Sequence, residues 1–342
     1  METDLIVCGA GPAGLASALH AARAGLSVAV FDPRPSPIDK ACGEGLMPGA
    51  MRELDELGVA LTGQSLAGIR YTDGHTRAEA RFRHGFGRGV RRTELQAALT
   101  GALTAAGVTV RPQRIDSISQ DDGSVQAGGV RARYLIAADG LHSPIRRQLG
   151  LDRPSGTRPR WGLRQHFAIA PWTDLVEVHW GAHSEAYVTP VGPQLVGVAL
   201  LGSDRMPFAD AVHAFPALRE RLPLDLGEGA SSVRGAGPLR QRVRARVAGR
   251  VLLVGDASGY VDALTGEGIA VSLACARAAV DCIVAGTPAQ YEQRWRTLSR
   301  RYRLITESLL WARGRPGLAR TITPAAARLP AVFGALVDQL AR

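Results

Sequence analysis

Residues 41–49 read ACGEGLMPG, with a soft sulfur, Cys42, and a carboxylate, Glu44, set among three glycines. The stretch reads as an exposed turn. So little side-chain bulk lets backbone come close to something flat or bulky. Nearer the start, Gly9, Gly11 and Gly14 form a G-x-G-x-x-G run, and Asp32 follows it. Gly9 permits a tight turn, Gly11 lets a pyrophosphate approach the backbone, and Gly14 lets a helix pack close to a strand. A helix opening at such a turn offers free N–H groups and a positive dipole end to phosphate. Asp32 would accept hydrogen bonds from a ribose. The alternative is a tight turn in any α/β protein. A strand before it, a helix after it and the acid beyond argue for a dinucleotide instead.

Those flanking elements are legible. Leu5 to Cys8 reads as a short buried strand, Ala13 to Ala24 as an alanine-rich helix closed by Gly25, and Ser27 to Phe31 as a second strand. RRTELQAALTGALTAAGVTV gives a helix and a strand, and ARYLIAADGLHSPIRRQLG a strand, a turn at Asp139-Gly140 and a helix start. From 161 to 201 the chain turns β-rich and partly alternating, as a separate antiparallel sheet would. Residues 65–85 are expected to add strands to it. After Gly235 the α/β character returns in GRVLLVGDASGYVDALTGEGIAVSLACARAAV, and from Tyr291 the chain reads as helical. The expected fold is therefore α/β. A discontinuous Rossmann-type domain (1–64, 86–158 and 235–290) carries an inserted, mainly antiparallel β-sheet substrate domain (65–85 and 159–234). A C-terminal helical tail (291–342) follows.

A chain of 342 residues holds a sizeable core, and 46% hydrophobic with 21% charged residues is ordinary for a soluble globular protein. No apolar run reaches the roughly 18 residues of a membrane span, and METDLIVCGAG lacks the pattern of a secretory signal. A cytoplasmic protein is expected. Cys8, Cys42, Cys275 and Cys282 have neither disulfide-scaffold nor zinc spacing, so no metal is expected. The net charge of +10 is almost all arginine, Lys40 being the only lysine. Residues 286–342 alone hold ten arginines against Glu292, Glu307 and Asp338. No nucleic-acid motif accompanies them, and nucleic acid is not an expected partner.

Three motifs in order carry a resemblance over nearly the whole chain: Gly9-x-Gly11-x-x-Gly14 with Asp32, Asp139-Gly140 in AADGLHSPIR, and Gly255-Asp256 in LLVGDASGYVDALTGEGIA. The chain resembles the flavoprotein superfamily with the para-hydroxybenzoate hydroxylase fold, which covers class A flavin monooxygenases, geranylgeranyl reductases and flavin-dependent halogenases. The resemblance implies FAD as cofactor. It implies contacts from the turn at Gly9, Gly11, Pro12, Ala13 and Gly14, and from Asp32 and Arg34. It adds Arg92 in RTEL, which could equally be a solvated helix residue, and Asp139, whose role is partly structural. Asp256 would bind flavin-side hydroxyls. In TGEGIA, Gly266, Gly268 and Ile269 would lie beside the flavin pyrimidine, where a helix N-terminus favours negative charge. Glu267 reads as an acid complementing that helix dipole. A similar Cys-Gly segment lies by the isoalloxazine ring in geranylgeranyl reductases. That implies a place by the flavin for Cys42 and Gly43, against the alternative of a surface loop with a spare cysteine. No catalytic residue is assigned; Cys42, Glu44 and Glu267 are the candidates.

A single dinucleotide motif means that reduction comes from transiently bound NAD(P)H or from a partner reductase. The halogenase tryptophan motif is missing, and Lys40 stands in the wrong stretch for the halogenase lysine. Two reactions remain. One is monooxygenation of an apolar, aromatic or polyketide-like small molecule of secondary metabolism with O₂, through reduced flavin and a flavin hydroperoxide. The other is reduction of isoprenoid double bonds. The glutamates of CGEG and TGEGI lean to the reductases. Ala263, in place of a proline, and the faint echo of the reductases' aromatic strand in AYVTPVGP lean away. Monooxygenation is the first expectation. A non-catalytic FAD-binding or electron-transfer protein is a further alternative, opposed by the inserted sheet, which would make a substrate cavity. His166, His179, His183 and Tyr187 fall on the substrate sheet, either as acids, bases or donors or as ordinary sheet residues. The basic tail could pack on the FAD domain, cap a lipophilic channel or rest on a membrane surface.

Overall fold

The computed structural model describes residues 2–224 and 231–342. Met1 and residues 225–230, the latter inside the segment assigned to the substrate sheet, lie outside the described residues. The branched run Leu5-Ile6-Val7 lies in the strand Glu2–Cys8 at the centre of a sheet. Parallel neighbours flank it, Val130–Ala137 on one side and Val28–Phe31 on the other, with Leu5 opposite Tyr134 and Val28. Val251–Leu253 and Val110–Arg111 extend the parallel set outward. Buried on both faces, such strands are nearly all apolar. The first helix runs Pro12–Arg23, one residue earlier at each end than the alanines alone suggest. Proline lacks only an N–H that the first turn leaves unpaired anyway. Gly25, at φ +78, turns the chain out of the helix.

The second sheet has seven strands, ordered Arg234–Ala236, Trp161–Phe167, Leu195–Gly202, Ser184–Gly192, Leu175–Trp180, Gly68–Thr72 and Arg77–Arg81. All pairings are antiparallel except Leu175–Trp180 with Gly68–Thr72. That parallel pair is where the early segment joins the later one. The strands of this sheet turn alternate residues to opposite faces, and the central ones are buried on both. Val176, Val178, Tyr187, Ala199 and Leu201 share one apolar cluster. Ala186, Val188, Val196, Val198 and Leu200 share another with Phe208 and Val212 of a short covering helix. A small third sheet, Gly45–Leu46, Gly87–Gly89 and Gln64–Leu66, ties the Cys42 segment down beside the second sheet.

The tail is helical. The helix Tyr291–Arg313 packs on Gly268–Val284 of the nucleotide domain, whereas Pro330–Leu340 packs on the strand Arg77–Arg81. Phe333, Val337 and Leu340 join the apolar cluster of the second sheet. The tail therefore spans both units rather than packing on one. Among the described residues no helix is long and apolar enough to cross a membrane.

Candidate active site

The carboxyl ends of the parallel strands open on a cavity of about 710 Å³. Of the residues singled out from sequence, Gly9, Gly11, Pro12, Ala13, Asp32, Arg34, Cys42, Gly43, Glu44, Arg92, Asp139, Gly255, Asp256, Gly266, Gly268 and Ile269 all line it. Gly14 and Glu267 do not. Gly14 sits behind the turn, where a Cβ would meet the Gly9 carbonyl at 1.8 Å. Gly9, at φ +107, leaves only 2.3 Å to the Ala138 carbonyl. At Gly11 a Cβ would have only Arg92 Nη2 near, at 3.7 Å, so this backbone faces open cavity. The cradle therefore fits a pyrophosphate: two glycines build the turn and the third bares it.

Asp32 accepts from Ala10 N at 2.8 Å and from Arg34 N, Nε and Nη2 at 3.0, 2.9 and 2.7 Å. Burial raises this carboxyl, but the Arg34 and Ala10 hydrogen bonds outweigh it and hold it below its usual range. Its four acceptor positions are filled, so a ribose hydroxyl would have to displace Arg34. Asp256 also faces the cavity. Burial pushes its carboxyl up, opposed by the charges of Lys40, Arg92 and Arg146. Lys40, lowered by burial and by Arg34, lines the same wall. Sequence reasoning used Lys40 only to argue against halogenation. Its signal was available, as the one lysine of the chain, two residues before Cys42. Arg92 lies at the start of the helix Arg92–Ala105 with its guanidinium enclosed at the cavity, not in solvent.

The second motif is mainly a brace. Asp139 Oδ2 accepts from Ile145 N at 3.2 Å, while its buried Oδ1 has no partner. Ser143 caps the next helix through Arg146 N at 2.9 Å. Arg146, 2% exposed, donates to the carbonyls of Leu141 and Ala257 and to Gln241 Oε1. It thereby binds the second motif to the third.

At the far end of the cavity from the glycine turn, the N-terminus of the 17-residue helix Gly268–Val284 faces it through Gly268 and Ile269. Its free N–H groups favour negative charge there. Glu267 turns away. Burial pushes its carboxyl up to about 8, and Arg301 at 3.8 Å only partly offsets this. Cys42 keeps some accessible surface within the cavity wall. Its thiol is raised by burial despite Arg92, so it stays protonated. Glu44 corrects the exposed-turn expectation: it is 3% exposed and held at φ +61. Beyond Cys42 the cavity turns apolar, walled by Ile69, Val176, Val178, Ala199 and Leu201 and capped by Leu340. Tyr187 lies on this wall, its hydroxyl donating to Leu264 O at 2.7 Å. Of the three histidines, His166 is buried, His179 stands 3.8 Å from Glu177, and His183 is exposed in a turn.

A glycine-bared phosphate turn, a helix N-terminus at the far end and an apolar chamber beyond define a dinucleotide-dependent oxidoreductase. The chain belongs to the FAD binding domain family, whose model matches residues 2–281, and it is an FAD-dependent oxidoreductase. It is 30% identical to a menaquinone reductase of Mycolicibacterium smegmatis over 87% of this chain and 80% of that one. It is 27% identical to digeranylgeranylglycerophospholipid reductase 1 of Methanothermobacter thermautotrophicus, over 78% and 73%. Its fold is that of p-nitrophenol 4-monooxygenase from Pseudomonas putida, with TM-score 0.81 at 17% identity over 99% of this chain and 98% of that one. Together these bear out the para-hydroxybenzoate hydroxylase-type fold and FAD.

Proposed function

We propose that this oxidoreductase hydrogenates a carbon–carbon double bond of a lipophilic, isoprenoid-bearing substrate. The observation that carries this reading is the likeness to the reductases just named, over most of both chains. One of them is by its name a reductase of a digeranylgeranyl lipid, and hence of an isoprenoid one. The cavity supports the reading. A hydrocarbon chain laid on Ile69, Val176, Val178, Ala199 and Leu201 gains about 0.8 kcal/mol per buried CH₂. FAD bound here and already reduced would supply an electron pair as hydride. The chain binds and orients. Gly11 and the helix N-terminus hold the cofactor's negative charge, the wall aligns the substrate and excludes water, and Cys42, kept as a thiol, can donate a hydrogen bond but is no nucleophile. The hydride is balanced by one proton, taken up from solvent.

Oxygen transfer, the first expectation from sequence, is the second reading. The same wall favours it, because activated oxygen must be kept from water until substrate arrives. NAD(P)H or a separate reductase would deliver electrons in either case. The test is anaerobic turnover of the reduced holoenzyme with geranylgeraniol and menaquinone, followed by mass spectrometry. A product heavier by two hydrogens, located by fragmentation in the isoprenoid chain and not in the quinone ring, supports hydrogenation. No anaerobic product, with label incorporated under ¹⁸O₂, overturns it in favour of oxygen transfer.

A further inference from the structure

From 240 to 246 the chain reads Arg-Gln-Arg-Val-Arg-Ala-Arg, with arginine at every second residue. In extended backbone that period places the side chains on one side, and Arg242–Val243 is a strand, paired antiparallel with Asp152–Arg153. All four arginines, with Arg153, Arg296 and Arg303, line a second cavity of about 680 Å³. Three carboxylates face these seven cations: Asp256 and Glu307 on the lining, and Glu292 beside it, which pairs with Arg246 Nη1 at 3.4 Å and Arg296 Nε at 3.2 Å. Glu307 is already taken by Arg240 at 2.9 Å.

The cluster is built rather than loose. The Arg246 guanidinium lies 3.5 Å from the centre of the Trp295 ring, and that of Arg303 lies 5.0 Å from it. Stacking of this kind orients a guanidinium without neutralising it. Burial, reinforced by Arg303, lowers Arg246 although Glu292 opposes the shift. The Nε groups of Arg240 and Arg303 are buried with no hydrogen-bond partner. A buried donor without an acceptor is unfavourable, and both belong to side chains that line this cavity. Arg242 and Arg244 are exposed, and among the described residues their guanidinium groups have no ion-pair partner. Like charges gathered this closely repel, and an anion between them relieves the repulsion. Arginine forks match phosphate oxygens two at a time.

We propose that this cavity is a second phosphate site, which takes the phosphate or diphosphate of a small ligand while FAD fills the glycine groove. Gly255, Asp256, Tyr260, Gly268 and Ser272 border both cavities, so a ligand here lies beside the redox centre. Two sources of that chemistry suit an FAD oxidoreductase: a nicotinamide dinucleotide bringing electrons, or a prenyl diphosphate as substrate. The site does not depend on the choice between hydrogenation and oxygen transfer, since both reactions need a reductant.

The experiment is calorimetric titration of the full, FAD-saturated chain with inorganic pyrophosphate. It compares the parent, an Arg242→Ser/Arg244→Ser variant, and an Arg320→Ser/Arg328→Ser variant that loses the same charge from the C-terminal helices. FAD content and melting temperature establish that each is folded; the replaced residues are all exposed. The expected result is one pyrophosphate per chain, weakened by roughly tenfold or more in the first variant and by less than about twofold in the second. Displacement of pyrophosphate by NADPH or NADH assigns the dinucleotide. Displacement by geranylgeranyl diphosphate alone assigns the substrate. Absence of saturable binding, equal weakening in both variants, or displacement by none of these compounds overturns the proposal.

Discussion

Glu44 Oε2 lies 2.6 Å from His166 Nε2, joining the Cys42 segment of the nucleotide domain to the second sheet across 122 residues. His166 Nδ1 faces Arg164 Nη1 and Ser231 Oγ, each at 3.1 Å. Arginine can only donate, so Nδ1 accepts and Nε2 donates to Glu44. Glu44 Oε1 accepts from Arg92 N at 2.9 Å, and Thr189 Oγ1 donates to Gly43 O at 2.8 Å. Gly197 leaves the room required, for its Cβ would come within 2.9 Å of Glu44 Oε2. These bonds hold Glu44 in its left-handed conformation and fix where Cys42 and Gly43 meet the cavity.

Removing one partner should therefore unsettle both units. Glu44→Ala or His166→Ala leaves a buried polar group alone and should lower stability by roughly 1–3 kcal/mol. Glu44→Gln should fall between, because a glutamine accepts at one oxygen only. Thermal melts of the FAD-loaded protein measure this. A His166→Ala variant melting with the parent would show the pair to be idle.

The glycines of the first motif should separate by role. Gly14→Ala drives a methyl into the Gly9 carbonyl and should prevent folding. Gly11→Ala has room in the protein itself but blocks the approach of a phosphate. It should fold, yet lose a charged hydrogen bond worth about 1.5–3 kcal/mol, roughly ten- to hundredfold in FAD affinity. Circular dichroism and FAD titration distinguish these outcomes; normal FAD binding by Gly11→Ala would move the pyrophosphate elsewhere.

Glu267 should make stability depend on pH. Its carboxyl titrates at about 8 in the folded protein, against an ordinary 4.5. The folded state thus holds the proton more tightly. The stabilisation is complete below the ordinary value and lost as pH rises from there through about 8. Glu267→Gln stays neutral throughout, so above about pH 8 it should be the more stable protein, by an amount on the order of 5 kcal/mol. Denaturant titrations at neutral and alkaline pH test this; parallel curves for the two proteins would contradict it.

The parts of the site legible in sequence were those where steric limits act locally. Gly9 and Gly14 leave no room for a Cβ, and the Pro12–Arg23 helix follows from its alanines and proline. Asp256 follows a buried strand that can end only at the sheet's carboxyl edge. The Glu44–His166 pair left no such trace, because a pairing between two domains imposes no period on either segment. The parallel pairing of Leu175–Trp180 with Gly68–Thr72 is equally non-local. The cap at Leu340 depends on which sheet the last helix meets, and an apolar helix face suits either. Arginines at every second residue from 240 were visible, but only the fold gives them a common cavity, with Arg246 against Trp295.

The apolar wall should govern substrate without governing cofactor. Ala199 is the smallest residue on it and stands beside Tyr187, its partner on the neighbouring strand. Ala199→Phe would fill space in which a hydrocarbon chain could lie. Displacing the equivalent of two or three methylenes removes about 0.8 kcal/mol apiece, so binding of geranylgeraniol, followed by flavin fluorescence, should weaken by roughly ten- to fiftyfold. The phosphate turn, the Asp32–Arg34 pair and the N-terminus of the Gly268–Val284 helix are all made by other residues. FAD content should thus be unchanged, and kcat at saturating substrate should fall much less than kcat/KM, since the wall holds substrate and transition state alike. Loss of FAD together with substrate would mean that the wall supports the cofactor ring itself, and the lipophilic chamber would then have to be sought elsewhere.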